Sequence, residues 1–186
     1  MWQARCDSPI GPLLLTAEEN SLTGLYFLDK LGPDRDIHHD DRPWPTAIAM
    51  IFAEVSEQLA EYFTGSRQQF CLRSAALAPR GSRFQQAVWL ELQSIPYGQT
   101  ISYGELARRI GRPSAARAVG LANGRNPLSV LIPCHRVIGG NGSLIGYGGG
   151  LERKQYLLGL ETRVCAQSRA APVAAGVGLE QALPAR

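Results

Sequence analysis

The sequence predicts a mixed α/β chain of the α+β kind: a small antiparallel sheet with one helix on it, then a helical unit built on a helix-turn-helix. Three observations predict this. Two apolar runs of strand length, Leu13–Ala17 and Leu22–Leu28, flank the polar corner Glu19-Asn20-Ser21, which suits an antiparallel hairpin. Ile48, Ile51, Phe52, Val55, Leu59 and Phe63 then recur at helical spacing. Further on, two short helical patterns flank Gly111-Arg112-Pro113, the layout of a helix-turn-helix.

Composition sets outer limits. The 186 residues suffice for one large domain or two small ones, and 45% hydrophobic with 19% charged residues is ordinary for a globular protein. No apolar run approaches the roughly 18 residues of a membrane span. Met1-Trp2-Gln3-Ala4-Arg5-Cys6-Asp7 lacks a signal-peptide apolar core, so a cytoplasmic protein is expected, with no membrane partner. Cys6, Cys71, Cys134 and Cys165 are scattered without a CxxC pair and read as free thiols. The net charge of +3 hides a split: residues 1–79 carry 6 Arg/Lys against 11 Asp/Glu, and residues 80–165 carry 11 against 4. A basic second half points to a polyanion, nucleic acid first, with a merely solvated face as the alternative.

Taken in order, residues 1–78 form the expected sheet-and-helix domain. Thr46 would cap its helix, Gly65 would end it, and Phe70-Cys71-Leu72 would add a strand. The polar loop 32–45 holds His38 and His39. Residues 75–80 read as a linker, broken by Pro79 and Gly81. The second domain is expected over 82–165. Ser82 would cap a helix marked by Phe84, Val88 and Leu92, and Ile95-Pro96-Tyr97-Gly98 is a turn. Ser102 and Glu105 would form a capping box. Ser114 would cap a helix reaching about Ala122. That helix is nearly free of bulk, with Arg117 as its long polar side chain. It suits insertion into a DNA groove and equally suits a tightly packed core helix whose arginine reaches out. A last helix is expected from Leu151 to Leu160, with Tyr156, Leu157 and Leu160 buried, Glu152-Arg153-Lys154 facing water and Glu161 at its end. Residues 166–186 lack period and read as a mobile tail.

The segment with the sharpest chemistry is Ile132-Pro133-Cys134-His135-Arg136-Val137. A thiol between a rigid proline and an imidazole is either a buried core cysteine or a nucleophile with a base nearby. A free thiol has a pKa near 8.5 and is mostly protonated at neutral pH, so a nucleophilic Cys134 needs that base.

Pro133-Cys134-His135-Arg136-Val137 resembles the active-site signature of the O6-alkylguanine-DNA alkyltransferases. So do Phe84-Gln85-Gln86-Ala87-Val88-Trp89, Ile95-Pro96-Tyr97-Gly98-Gln99-Thr100, Ser102-Tyr103, Arg117-Ala118-Val119-Gly120, Asn123 and Asn126-Pro127. The likeness is close over 82–161 and looser over the first domain. It implies a ribonuclease-H-like first domain and a winged helix-turn-helix-like second one. It also implies a single-turnover repair reaction on duplex DNA, bound through the minor groove. An alkyl group leaves O6 of guanine, or O4 of thymine, for Cys134, permanently and without a cofactor.

The resemblance also implies roles. His135 would take the thiol proton through a water, oriented by Glu161, and Asn126 would brace the active-site turn near Cys134 and Glu161. Tyr103 would help rotate the nucleotide out and donate a proton. Arg117 would fill the vacated stack, and Arg112, Ala116 and Arg125 would complete the DNA face. Tyr147, Gly148 and Val137 would line the base pocket. Some relatives have a serine where this chain has Gly148, so only a backbone N–H could serve there, and the pocket would be wider. Some relatives hold zinc in the first domain. Cys6, His38, His39 and Cys71 show no ligand spacing, and no metal is expected. The protein is expected to be a monomer in free solution. Two rival readings are a helix-turn-helix binder without chemistry and a cysteine hydrolase or redox enzyme. The first leaves Cys134, His135 and Glu161 together unexplained; the second explains neither the basic half nor the Ala-rich helix.

Overall fold

A computed structural model gives the structure of residues 1–32 and 43–170. The loop with His38 and His39, and the expected tail from residue 171 on, lie outside the described residues.

β1 (Trp2–Cys6), β2 (Leu13–Glu18) and β3 (Ser21–Phe27) form an antiparallel meander, and β4 (Ala76–Leu77) joins β3 in parallel at the edge. The expected hairpin is therefore present. Leu13 through Ala17 are all buried, without the alternation of a one-sided sheet. Both faces are covered, and a strand so placed reads as a continuous apolar run. α1 (Thr46–Thr64) covers one side, burying Ile48, Ile51, Phe52, Val55, Leu59 and Tyr62. Tyr62 is the fully buried ring at its end; Phe63, expected in the stripe, is only partly buried. Thr46 is the first helical residue and not the cap; Pro45 holds that place with no side-chain bond. Gly65 ends the helix in the left-handed conformation, as expected.

The strand expected at Phe70–Leu72 does not form. The Gln58 side chain on α1 takes both backbone groups of Cys71, accepting from its N–H at 2.9 Å and donating to its carbonyl at 2.8 Å. One turn earlier, Glu54 accepts from the N–H groups of Arg73 and Ser74 at 2.8 Å each. Side chains of α1 thus satisfy this backbone, and the pairing with β3 shifts into the supposed linker.

The second half comprises α2 (Arg83–Leu92), β5 (Ile101–Ser102), α3 (Tyr103–Arg109), α4 (Ala116–Gly124), a 3-10 turn at Cys134–Arg136, β6 (Val137–Ile138) and α5 (Leu151–Ala170). Ser82 and Gln85 form a reciprocal capping box at α2. At α3 the box is half made. Ser102 accepts from Glu105 N–H at 3.0 Å, while the Glu105 carboxylate turns to Arg108 and Arg109 instead. Ser114 does not cap α4: Ala115 stands at the cap without a side-chain bond, and the helix runs past Ala122 to Gly124.

α5 departs most from expectation. It continues to Ala170, past the expected domain end at 165, and Glu161 lies in its interior. Its buried face is Lys154, Leu157, Leu160, Glu161 and Val164, so two charged residues interrupt the apolar pattern. Lys154 is fully buried, not solvated, and Tyr156 is exposed.

Both halves share one core. Leu25 N–H donates to the Pro127 carbonyl at 2.7 Å, and its carbonyl accepts from Ser129 at 3.1 Å. Arg153 on α5 donates to the Ile10 carbonyl at 2.6 Å, pairs with Asp29 at 2.9 Å and lies over the Phe27 ring. The sheet therefore anchors the segment that leads into the cysteine turn. Replacing fully buried Leu25 with alanine is expected to cost about 2–5 kcal/mol in denaturant unfolding, because the cavity would open at this seam.

Candidate active site

The cysteine turn is held by two asparagines. Asn126 donates to the Ile132 carbonyl at 2.8 Å and to Cys134 Sγ at 3.1 Å, while its carbonyl oxygen accepts from Leu128 N–H at 3.0 Å. Asn123, on the buried face of α4, donates to the Cys134 carbonyl at 3.2 Å. The segment between Asn126 and Cys134 is strained: Val130 is buried with φ of 70°. That region is unfavourable for a β-branched residue, and such outliers cluster at functional turns.

Glu161 draws its donors from three separate parts of the chain. Its Oε1 accepts from Tyr62 OH at 2.8 Å, His135 Nε2 at 2.9 Å and Arg136 Nη2 at 2.9 Å. Its Oε2 accepts from Gly98 N–H at 2.9 Å and Arg136 Nε at 3.0 Å. Gly98 has φ of 73°, and a Cβ there would meet Cys165 Sγ at 2.5 Å. Only glycine lets the Ile95–Gly98 turn bring its N–H to the carboxylate. Arg136 also donates to the Ile95 carbonyl at 2.6 Å. Burial would raise the Glu161 carboxyl, but the His135 and Arg136 bonds and charges outweigh it and hold the group at about 2. His135 is also lowered, but by a different cause: burial drives its pKa below the ordinary value against the pull of Glu161. The resting pair is thus an ionised Glu161, balanced by Arg136, and a neutral imidazole. Nε2–H donates to Glu161, which leaves Nδ1 as the basic atom; it has no hydrogen-bond partner among the described residues.

Burial pushes the Cys134 thiol up to about 11, against the Asn126 bond, the Lys154 charge and nearby backbone N–H groups. At neutral pH the sulfur is a thiol. Lys154 Nζ donates to the carbonyls of Val137 and Ile145, at 2.6 Å each. Burial lowers Lys154 to about 8, with the Cys134 charge opposing. No acidic partner meets it among the described residues, so its charge is directed at the cysteine turn.

Tyr103 opens α3 and donates to the carbonyls of Ile145 at 3.0 Å and Gly146 at 2.8 Å. Its ring packs on Gly120 of α4, which explains one small residue of that helix. α4 itself divides: Val119, Ala122 and Asn123 are buried, whereas Arg117, Ala118 and Leu121 are exposed. Its two sequence readings, core helix and groove helix, each describe one face. Arg112, Arg117 and Arg125 are exposed without an ion pair among the described residues, and Ala116 lies beside them, partly buried. Tyr147 stacks edge-on against Phe27, with its hydroxyl buried near the cysteine. Val137 is buried on β6. A Cβ on Gly148 would meet the Gly124 carbonyl at 2.9 Å, so a serine there would need the backbone to move. The glycine is set by packing on α4. Asn126, expected at the active-site turn, bonds the carbonyls of Leu128 and Ile132 and Cys134 Sγ. Among the described residues, no three His, Cys, Asp or Glu side chains stand together as metal ligands.

Two family models match the chain. The 6-O-methylguanine DNA methyltransferase ribonuclease-like domain covers residues 1–74, and the DNA binding domain of the same family covers 83–163. A methylated-DNA–protein-cysteine methyltransferase of Mycolicibacterium paratuberculosis is 51% identical over 157 residues, 84% of this chain and 90% of the relative. One from Methanosarcina acetivorans is 46% identical over 165 residues, 87% of this chain and 98% of the relative. The chain belongs to the 6-O-methylguanine DNA methyltransferase family. The crystal structure of Mycobacterium tuberculosis OGT in complex with DNA matches with a TM-score of 0.76 at 46% identity, over 88% of this chain and 94% of that one. The match spans both halves of the fold.

Sequence reasoning missed Tyr62, Arg136 and Lys154 as parts of this family site, and gave Asn123 no role in it. Lys154 and Glu161 share a helical face with Leu157, a signal visible in their spacing of three and four. Arg136 stands inside the signature, but nothing in its neighbours shows that it turns inward.

Breaking a buried ion pair by removing one partner costs about 3–5 kcal/mol. Arg136→Met is therefore expected to lower unfolding free energy by that amount near neutral pH. Because the folded Glu161 carboxyl lies near about 2, below its unfolded value of 4.5, its contribution is present above about pH 4.5 and lost as pH falls toward 2. Denaturant titrations across that window are expected to show the difference between wild type and Arg136→Met shrinking with acid.

Proposed function

We propose that this protein repairs duplex DNA by taking a methyl or other alkyl group from O6 of guanine, and from O4 of thymine, onto Cys134 Sγ. The observation that carries the reading is the bond from Asn123 to the Cys134 carbonyl, because it fastens the cysteine to the same helix that presents Arg117. One face of α4 holds the cysteine turn and the other presents Arg117.

The chemistry follows from the geometry. His135 Nδ1 takes the thiol proton, directly or through a water, and Glu161 stabilises the imidazolium. Lys154 and the Asn126 amide stabilise the thiolate. The sulfur attacks the alkyl carbon in line; an S–C bond forms, the C–O6 bond breaks, and its electron pair goes to the guanine ring. Tyr103 OH supplies a proton to the ring once it releases the Ile145 and Gly146 carbonyls, and the imidazolium proton restores it. The product is a thioether and an intact guanine. No residue at the site can hydrolyse a thioether, so each molecule acts once. A base inside the stack is out of reach, and flipping it costs a few kcal/mol. Arg117 offsets that cost by filling the gap, with Arg112, Ala116 and Arg125 on the backbone and Tyr147 and Val137 at the base. The substrate is DNA, the four cysteines are free thiols, and no described helix is long and apolar enough to cross a membrane. Cytoplasmic action as a free monomer is part of this proposal.

Duplex DNA with labelled O6-methylguanine is expected to leave one methyl per molecule on the Cys134 peptide, read by mass spectrometry, and none on Cys134→Ser. Label on another cysteine, or repeated turnover, sinks the reading. Arg117→Ala is expected to slow repair of duplex DNA by about tenfold or more, while its rate on the free O6-methylguanine base stays as in wild type.

A further inference from the structure

We infer that Tyr62, contributed by the sheet-and-helix half, is a positioning residue for the transfer: its hydroxyl shares Glu161 Oε1 with His135 and so sets how strongly that carboxylate holds a proton on the imidazole. The inference rests on the alkyl-transfer reading above.

The contact joins distant parts of the chain. Tyr62 OH and Glu161 Oε1 are 2.8 Å apart, 99 positions apart in sequence, and both residues are fully buried. The ring is fixed by Phe63, Phe70 and Tyr97 at centroid distances of 5.3–5.9 Å. A phenylalanine would fill the same space. The hydroxyl adds a polar group in the core whose partner among the described residues is Glu161. Burial and the Glu161 charge raise its pKa well above the ordinary tyrosine value, so it remains a donor at every working pH.

Sharing one oxygen has a direct consequence. Each donor on Oε1 drains charge from it and weakens its hold on Nε2–H. With Tyr62 OH present, the imidazolium is less favoured, and His135 stays neutral to a lower pH. A neutral His135 is the form that can accept the Cys134 proton. The other groups facing this pair push in known directions. Arg136 on the 3-10 turn and Lys154 on α5 also disfavour the imidazolium. Cys134 is neutral at rest. Tyr97, on the turn after α2, faces Glu161 with a neutral phenol pushed up to about 12, and Cys165 and Arg163 of α5 act on Tyr97. None of these would change in a Tyr62→Phe protein, so a shift there reads the hydroxyl.

The test is the pH profile of methyl transfer, paired with NMR titration of carbon-13-labelled His135; the chain has only three histidines. Tyr62→Phe is expected to move the acid limb and the His135 titration upward together by about half a pH unit, a roughly threefold loss of rate on the limb with the plateau kept. A fluorinated tyrosine placed at position 62, a stronger donor of nearly the same size, is expected to move both downward. It also keeps the test decisive should the phenylalanine protein fail to fold. If wild type transfers the methyl and neither replacement moves the limb or the titration, Tyr62 only fills the core and the inference falls. If wild type transfers no methyl, the functional reading falls, while the His135 titration alone still decides whether Tyr62 sets its basicity.

Discussion

A buried carboxylate with no charge to balance it would not stay ionised, and the structure is arranged so that Glu161 does. Desolvating such a group costs several kcal/mol even after relaxation, and only good geometry with every lone pair met repays it. Arg136 supplies the opposite charge, while His135, Tyr62 and Gly98 N–H complete the donors. These come from α1, the turn after α2 and the cysteine turn, and they meet on α5. Elements remote in sequence must therefore be docked before the carboxylate is stable. That requirement links the fold to the site: the first half of the chain touches Glu161 through Tyr62 and holds the segment before the cysteine turn through the seam at Leu25.

How far the sequence showed this depends on the residue. The hairpin, α1, α2 and the helix-turn-helix were legible because apolar period and turn residues agree there, even where the expected caps at Thr46 and Ser114 fail. Phe70–Leu72 was misread because its apolar pattern competes with the Gln58 side chain, whose hold on Cys71 is a tertiary bond with no local signature. α5 was cut short at Leu160 because an ionic residue in a buried stripe looks like the end of the stripe. The same error hid Lys154, since a Glu-Arg-Lys run normally marks a wet face. Cys134, His135 and Glu161 were legible only through family likeness; spacing alone does not bring residue 161 to residue 135. The half-made box at Ser102 shows the converse, a motif present in sequence whose glutamate found better partners in Arg108 and Arg109.

Val130 fits the same scheme. A β-branched residue in the left-handed region costs of order 1–3 kcal/mol and persists only where surroundings over-determine it. Here the Leu25 strand pairs with one end of the segment and Asn126 spans the other. Those bonds keep the chain from relaxing into a smooth loop, and the sharp turn that results presents Cys134 Sγ to Asn126.

A protein that spends its nucleophile once has more to lose from side reactions than a turnover enzyme has. Reaction with oxidants or stray alkylating agents needs the thiolate, exposed and populated. Cys134 is neither: it is 3% exposed, and burial raises its pKa to about 11. A low-pKa cysteine would react faster with substrate but also with everything else. The arrangement instead separates storage from use. At rest the proton stays on sulfur and His135 is kept neutral beside it. In the proposed reaction, transfer of that proton would create an imidazolium against Glu161 and a thiolate against Lys154 and Asn126, charges that are each matched only at that moment. A raised thiol pKa is thus compatible with fast chemistry, provided the base and both countercharges are already in place when a flipped nucleotide arrives.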